Sequence, residues 1–163
     1  MPLPNHGDST NRPSSLPISP SPSSSPLLPD NGPGPASAMS DPHLNRHDLG
    51  VLGEAFACEL LTRHGWRVLD RNWRSRFGEL DIIAMDSCDY LVFVEVKTRR
   101  CHRFGTPAEA VTVRKRRNLR LAASQWLANG NARGIRHRGT RFDVVSIVVR
   151  GGAPHATHLA GAF

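Results

Sequence analysis

At 163 residues the chain suits one compact domain and is too short for two of ordinary size, and it lacks any apolar run near the eighteen residues that a helical membrane span requires. Its formal charge is +7, with residues 48 to 163 carrying +8, and nineteen of its twenty-one cationic side chains are arginine, whose planar fork suits phosphate. That balance favours a polyanionic partner, although a high-GC coding bias would also enrich arginine.

Residues 1 to 40 hold ten of the thirteen prolines and ten serines, with almost no periodic apolar residues, so residues 1–45 are expected to be a disordered tail. Two readings of that tail stay open: a Pro/Ser-rich linker or interaction segment, and an over-extended reading frame with Met39 as the alternative start. The tail has no basic start, apolar centre or cleavage site of a secretory signal, and a cytoplasmic protein is expected. Cys58, Cys88 and Cys101 are odd in number and show no C-x-x-C spacing, which points to reduced thiols. The histidine pairs His43/His47 and His155/His158 lie in terminal segments without further ligands, so a zinc site is not expected.

The domain is expected over residues 46–163. A first helix is predicted over 48–64, capped by Asp48, closed by Gly65 and striped with Leu49, Leu52, Phe56 and Leu60. Extended segments follow over 66–72, 79–85 and 90–98, the last two forming a hairpin. A second helix over 112–128 places Leu119, Ala122, Ala123 and Trp126 on one face; a strand over 142–149 completes an α-β-β-β-α-β order, and a short fifth strand could follow over 158–163.

Side chains alternate across a strand, so Leu80, Ile82 and Ala84 are expected on one face with Val92, Val94 and Val96. The opposite face of the last hairpin strand reads Leu91, Phe93, Glu95 and Lys97. A register that keeps both apolar faces on one side sets Asp81 opposite Glu95 and Glu79 opposite Lys97. Two opposed carboxylates repel unless a cation intervenes. Their hard oxygens suit Mg²⁺ or Mn²⁺, and Lys97 could then serve an attacking water and the charge that develops on a phosphate. The plainer alternative is that Lys97 and nearby arginines simply neutralise the two carboxylates.

The strings Gly53-Glu54, Gly78-Glu79-Leu80-Asp81-Ile82-Ile83-Ala84, Val92-Phe93-Val94-Glu95-Val96-Lys97-Thr98-Arg99 and Arg141-Phe142-Asp143-Val144-Val145 resemble the YraN-like family of small bacterial proteins. The resemblance spans nearly all of residues 48 to 163. It implies an α/β, restriction-endonuclease-like core with a mixed central sheet flanked by helices, related to archaeal Holliday junction resolvases. The nuclease signature of that fold, D-x(n)-[DE]-x-K, is matched by Asp81, Glu95 and Lys97. The resemblance further implies that Glu54 on the first helix joins Asp81 and Glu95 at the metal; the alternative is an exposed glutamate favoured by the helix dipole. Glu79 is a supporting residue that could pair with Lys97 or Arg76.

Arg99, Arg100, Arg103, Arg114, Lys115, Arg116, Arg117 and Arg120 put eight cations into twenty-two residues with only Glu109 against them. The cluster starts beside Lys97 and is expected to hold nucleic-acid phosphates, although any one arginine could belong to a solvated helix face. Lys115, four residues before Leu119, could point into the groove or snorkel. The function expected is therefore a Mg²⁺- or Mn²⁺-dependent endonuclease, with branched or flapped DNA as the substrate that the resemblance implies. A non-catalytic binding module of the same fold and an RNA-processing nuclease stay open beside it. Resolvase-like relatives imply a homodimer, but no residue here locates the interface.

Overall fold

The computed structural model describes residues 24–27, 34–100 and 111–163. Its elements are β1 (Ser24–Leu27), α1 (Pro35–Ala38), α2 (Arg46–Arg63), β2 (Arg67–Ser75), β3 (Gly78–Met85), β4 (Tyr90–Arg99), α3 (Val113–Ala128), β5 (Gly139–Arg150) and β6 (Ala153–Leu159). From α2 to β6 the expected order holds, although the last strand lies several residues earlier than 158–163. Among the described residues, no helix is long and apolar enough to cross a membrane.

The cap of α2 is Asn45 rather than Asp48. The Asn45 side chain accepts the Asp48 backbone N–H at 2.9 Å and donates to the Asp48 carboxylate at 2.7 Å, a reciprocal pair that places Asp48 one turn inside the helix. Gly65 ends it at φ +81, the left-handed region where glycine has no Cβ penalty. Thr112 caps α3 by accepting the Lys115 N–H at 3.2 Å. Trp126, near the far end of α3, donates its indole N–H to Asp70 of β2 at 3.0 Å and so ties helix to sheet.

The sheet runs β1-β6-β5-β4-β3-β2. All neighbours are antiparallel except β4 and β5, which pair in parallel with α3 as the crossover. Helices cover both faces, so β3, β4 and β5 are apolar on both sides, as the strands around a parallel pair must be. On the α2 face lie Ile82, Ala84, Val92, Val94, Val96, Val145 and Ile147; on the α3 face lie Ile83, Leu91, Phe93 and Val144. The side of β4 opposite its valines is thus core as well, up to Glu95. Leu80 departs from the expected alternation: it packs with Ile83 against α3, not with Ile82 and Ala84.

The boundary expected at residue 45 is also corrected. Ala36 and Met39 are fully buried and pack with Leu49, Phe56 and Ala156. Pro35 opens α1 at the position where a missing N–H costs nothing, but a single turn is too short to show periodicity in the sequence. Further upstream, Ser24–Leu27 adds to β6, with Pro26 tolerated because β1 is the edge.

Opposite Val94 in the β4–β5 ladder, Asp143 is fully buried and is bonded by three residues. Arg141 reaches it through two N–H groups at 2.8 and 3.0 Å, His158 contacts it at 2.8 Å, and the Gly161 N–H donates at 2.9 Å. Arg141 also bridges to Asp86 at 2.8 Å. Burial by itself would raise the Asp143 carboxyl, but His158, Arg141 and the Gly161 N–H outweigh it and hold it below the usual carboxylate range. This cluster fastens β5, β6 and the β3–β4 turn.

Candidate active site

The hairpin takes the register expected from parity: Ile82↔Val94, Ile83↔Phe93, Ala84↔Val92 and Met85↔Leu91. One step beyond Ile82↔Val94, where Asp81 would face Glu95, the ladder gives way. The Val96 N–H donates to the Asp81 carboxylate at 2.8 Å, so a side chain takes up a backbone donor where β3 and β4 part. On the other side, the β2–β3 register passes from Arg71↔Ile82 to Trp73↔Leu80, stepping over Asn72 and Asp81. Asn72 has φ +52, a conformation asparagine tolerates better than most residues. The register on either side of Asn72 and Asp81 is the same, yet Leu80 shares the α3 face with Ile83, so the side-chain alternation of β3 is interrupted at Asp81, whose carboxylate meets β4 at Val96.

Glu95 is buried, its side chain 1% exposed. Its Oε1 is contacted by two ammonium groups, Lys97 Nζ at 2.5 Å and Lys115 Nζ at 3.1 Å. Its Oε2 is buried without a hydrogen-bond partner. A carboxylate oxygen left this way costs about 1–3 kcal/mol or more, a cost that a cation would remove. Burial and the neighbouring charge of Glu95 push the Asp81 carboxyl up to about 7, against the opposing pull of the Val96 N–H and Lys115; Glu54 adds to the rise. Glu54 thus stands within electrostatic reach of Asp81, and Asn72 Nδ2 donates to its Oε2 at 2.6 Å. Asn72 carries no periodic or motif signal; only its backbone conformation and this bond mark it as part of the site.

These residues fit a hard divalent cation in a limited sense. Asp81 and Glu95 supply two carboxylates and an unpartnered oxygen, and Mg²⁺ commonly takes only one or two protein carboxylates with waters and substrate phosphate. Among the described residues, no three His, Cys, Asp or Glu side chains converge into a metal cage. Glu54 enters through its charge and its bond to Asn72 and is not drawn up beside the other two.

The flanking charges divide. Glu79 pairs with Arg74 across the β2–β3 ladder at 3.5 Å, where a partner in Lys97 or Arg76 was expected. The β3–β4 ladder stops before Glu79 could face Lys97. Lys115 points inward, onto Glu95. Arg114, Arg117 and Arg120 are exposed on α3, while Arg99 is half-buried at the end of β4. Arg100 donates to the carbonyls of Met39 and Asp41, and Arg116 donates to the Val111 carbonyl at 2.9 Å. Arg116 and Arg120 lie over the Phe163 ring at 5.6 and 5.7 Å. Arg100 and Arg116 are therefore committed to the fold in part, a role that charge spacing alone does not reveal. Arg103 and Cys101 fall outside the described residues.

The model of a family described as "Uncharacterised protein family UPF0102" matches residues 53–147, a span that takes in Glu54, Asn72, Asp81, Glu95, Lys97 and Lys115. The chain belongs to the UPF0102 family. A UPF0102 protein of Bifidobacterium longum subsp. infantis is 46% identical over 125 residues, covering 77% of this chain and all of the relative. One from Rhodococcus opacus is 50% identical over 116 residues, or 71% of this chain and 95% of the relative. One from Mycobacterium tuberculosis is 46% identical over 123 residues, covering 72% and 94%. The UPF0102 match starts at Gly53 and so leaves α1 and β1 outside it.

Proposed function

We propose that this UPF0102 chain is a divalent-metal-dependent nuclease that hydrolyses phosphodiester bonds, built on a restriction-endonuclease-like core. The observation that carries the reading is the state of Glu95: buried, neutralised at one oxygen by Lys97 and Lys115, and without a partner at the other, beside Asp81. Asp81 and Glu95 would hold Mg²⁺ or Mn²⁺, with Glu54 acting on Asp81 through its charge. The cation, when bound, supplies Lewis acidity, making water more acidic and offsetting phosphate charge. Lys97, about one-third exposed at its side chain, is placed to orient the attacking water and stabilise charge at the phosphate. The exposed Arg114, Arg117 and Arg120 would take phosphates flanking the one attacked. DNA, branched or flapped, is the substrate supported by the resemblance to YraN-like and resolvase-related proteins.

A second reading, a nucleic-acid-binding module without cleavage, is favoured by the absence of a three-ligand cage among the described residues. One panel separates the two: linear, flapped, four-way and single-stranded DNA, and RNA, each with EDTA, Mg²⁺ or Mn²⁺. Cleavage with Mg²⁺ or Mn²⁺, lost with EDTA and in Glu95→Gln, is expected. Metal-independent binding with every substrate intact would favour the second reading, and cleavage confined to RNA would move the substrate class.

A further inference from the structure

Lys115 does not behave as a member of a surface charge run. Its backbone is pinned in the first turn of α3 by the Thr112 cap, and its side chain crosses from that helix to the sheet, ending 3.1 Å from Glu95 Oε1. Lys97 already occupies the same oxygen at 2.5 Å. One carboxylate oxygen thus holds two ammonium groups while its twin has no partner. Lys97 reaches Glu95 from the same strand, whereas Lys115 reaches it from a separate helix and also acts on Asp81, so Lys115 stands between both carboxylates and the exposed face of α3.

Charge balance narrows its role. Asp81, Glu95 and Glu54 against Lys97 and Lys115 leave one net negative charge when all five are ionised. One divalent cation converts this to one net positive charge, which one phosphodiester cancels. A second divalent cation would leave two positive charges uncompensated around a buried carboxylate, an expensive outcome where the effective dielectric is low. Two-metal nucleases place their ions on either side of the phosphate. The Lys115 ammonium group, about one-third exposed and 3.1 Å from Glu95, would supply a fixed positive charge in place of one of those ions.

Resting on the nuclease reading above, we infer that Lys115 holds the phosphate under attack in the place that a second divalent ion would take, so that the site binds one Mg²⁺ or Mn²⁺ per chain. It also joins the site to the phosphate track, since Arg114 precedes it and Arg117 follows on the same helix.

Calorimetric titration of Mn²⁺ into the full chain tests the inference without relying on turnover. Wild type should bind one ion. Lys115→Met should bind Mn²⁺ more tightly, on the order of 3- to 30-fold, because a cation near the ion has been removed. Duplex DNA binding by the same variant, measured with Ca²⁺ in place of Mn²⁺, should show a salt slope smaller by about 0.9, with Lys115→Arg restoring it. Arg117→Met should reduce the slope but leave Mn²⁺ affinity unchanged. Two ions of similar affinity in wild type, no Mn²⁺ binding at all, or wild-type Mn²⁺ affinity in Lys115→Met would overturn the inference. If no substrate in the panel is cleaved, the nuclease reading falls, yet the ion count and the Lys115→Met affinity still decide where Lys115 stands.

Discussion

A Cβ added to Gly53 would stand 1.8 Å from the Thr98 hydroxyl oxygen and 2.9 Å from the Thr98 Cβ. This contact sets how closely α2 lies on β4, and Gly53 is followed directly by Glu54. Alanine would gain about 1 kcal/mol of helix propensity, but overpacking against a strand typically costs about 1–3 kcal/mol, and this contact is too short for a rotamer change to relieve. Gly53→Ala should therefore lower the melting temperature by several degrees. Thr98→Ala in the same chain should recover part of the loss, because it removes the hydroxyl and methyl that the new Cβ meets but keeps the Thr98 Cβ at 2.9 Å. Additive losses in the double variant would show that the two residues do not meet.

Asp81 makes stability depend on pH in a stated direction. Its folded-state pKa of about 7 lies above the ordinary 3.8, so between those values the folded chain retains a proton that the unfolded chain has released. The contribution to stability is full below about pH 4 and is lost as pH rises through about 7. Asp143 has the opposite shift, and its contribution is already fully present across this window. Asp81→Asn should therefore flatten the fall in melting temperature between pH 5 and 8 and exceed wild type at pH 8. An unchanged slope would remove Asp81 as its source. Mn²⁺ affinity of the wild type should rise over the same interval, since the ion displaces that proton.

Met39 belongs to the core, not to a tail. Truncating a fully buried methionine to alanine usually costs about 2–5 kcal/mol. Met39→Ala should unfold at a clearly lower temperature than wild type in a thermal melt. A melting temperature within 1 °C or so of wild type would mean that α1 does not pack in solution.

The basic cluster should separate into two classes by measurement. Replacing Arg114 and Arg117 with glutamine should reduce the salt slope of DNA binding by about two units at constant melting temperature. Arg116→Gln should lower the melting temperature, because it removes the bond to Val111 and the contact with Phe163. If Arg114 and Arg117 affect only stability, the phosphate track does not follow α3.

The hairpin and its carboxylates were legible because strand parity is a local property: the alternation of Val92, Val94 and Val96 and the loop after Met85 leave only one register that buries both apolar faces. The break at Asp81 was not legible, since the left-handed turn at Asn72 and the altered face of Leu80 arise from β2 closing against β3. The convergence of Lys97 and Lys115 on one oxygen depends on how α3 crosses the sheet, a distance that no spacing within the helix contains. Likewise the capture of Arg116 by Phe163 joins residues 47 positions apart in the chain. The single turn that buries Ala36 and Met39 was hidden by proline and serine composition, which reports average entropy and not the one apolar pair that finds a groove.

The two outer strands carry a consequence for assembly. β2 presents exposed Arg67, Arg71 and Arg74 along an edge that is irregular between Val68 and Asp70 and kinked at Asn72. At the opposite margin, β1 is only four residues long and contains Pro26. Charge, irregularity, shortness and proline are the devices that blunt a sheet against strand addition. Among the described residues, neither margin offers a straight, uncharged row of backbone groups to a second copy. Should this chain work as a two-fold pair on a symmetric junction, the copies would have to meet through helices or loops, leaving each sheet to end where its own chain ends it.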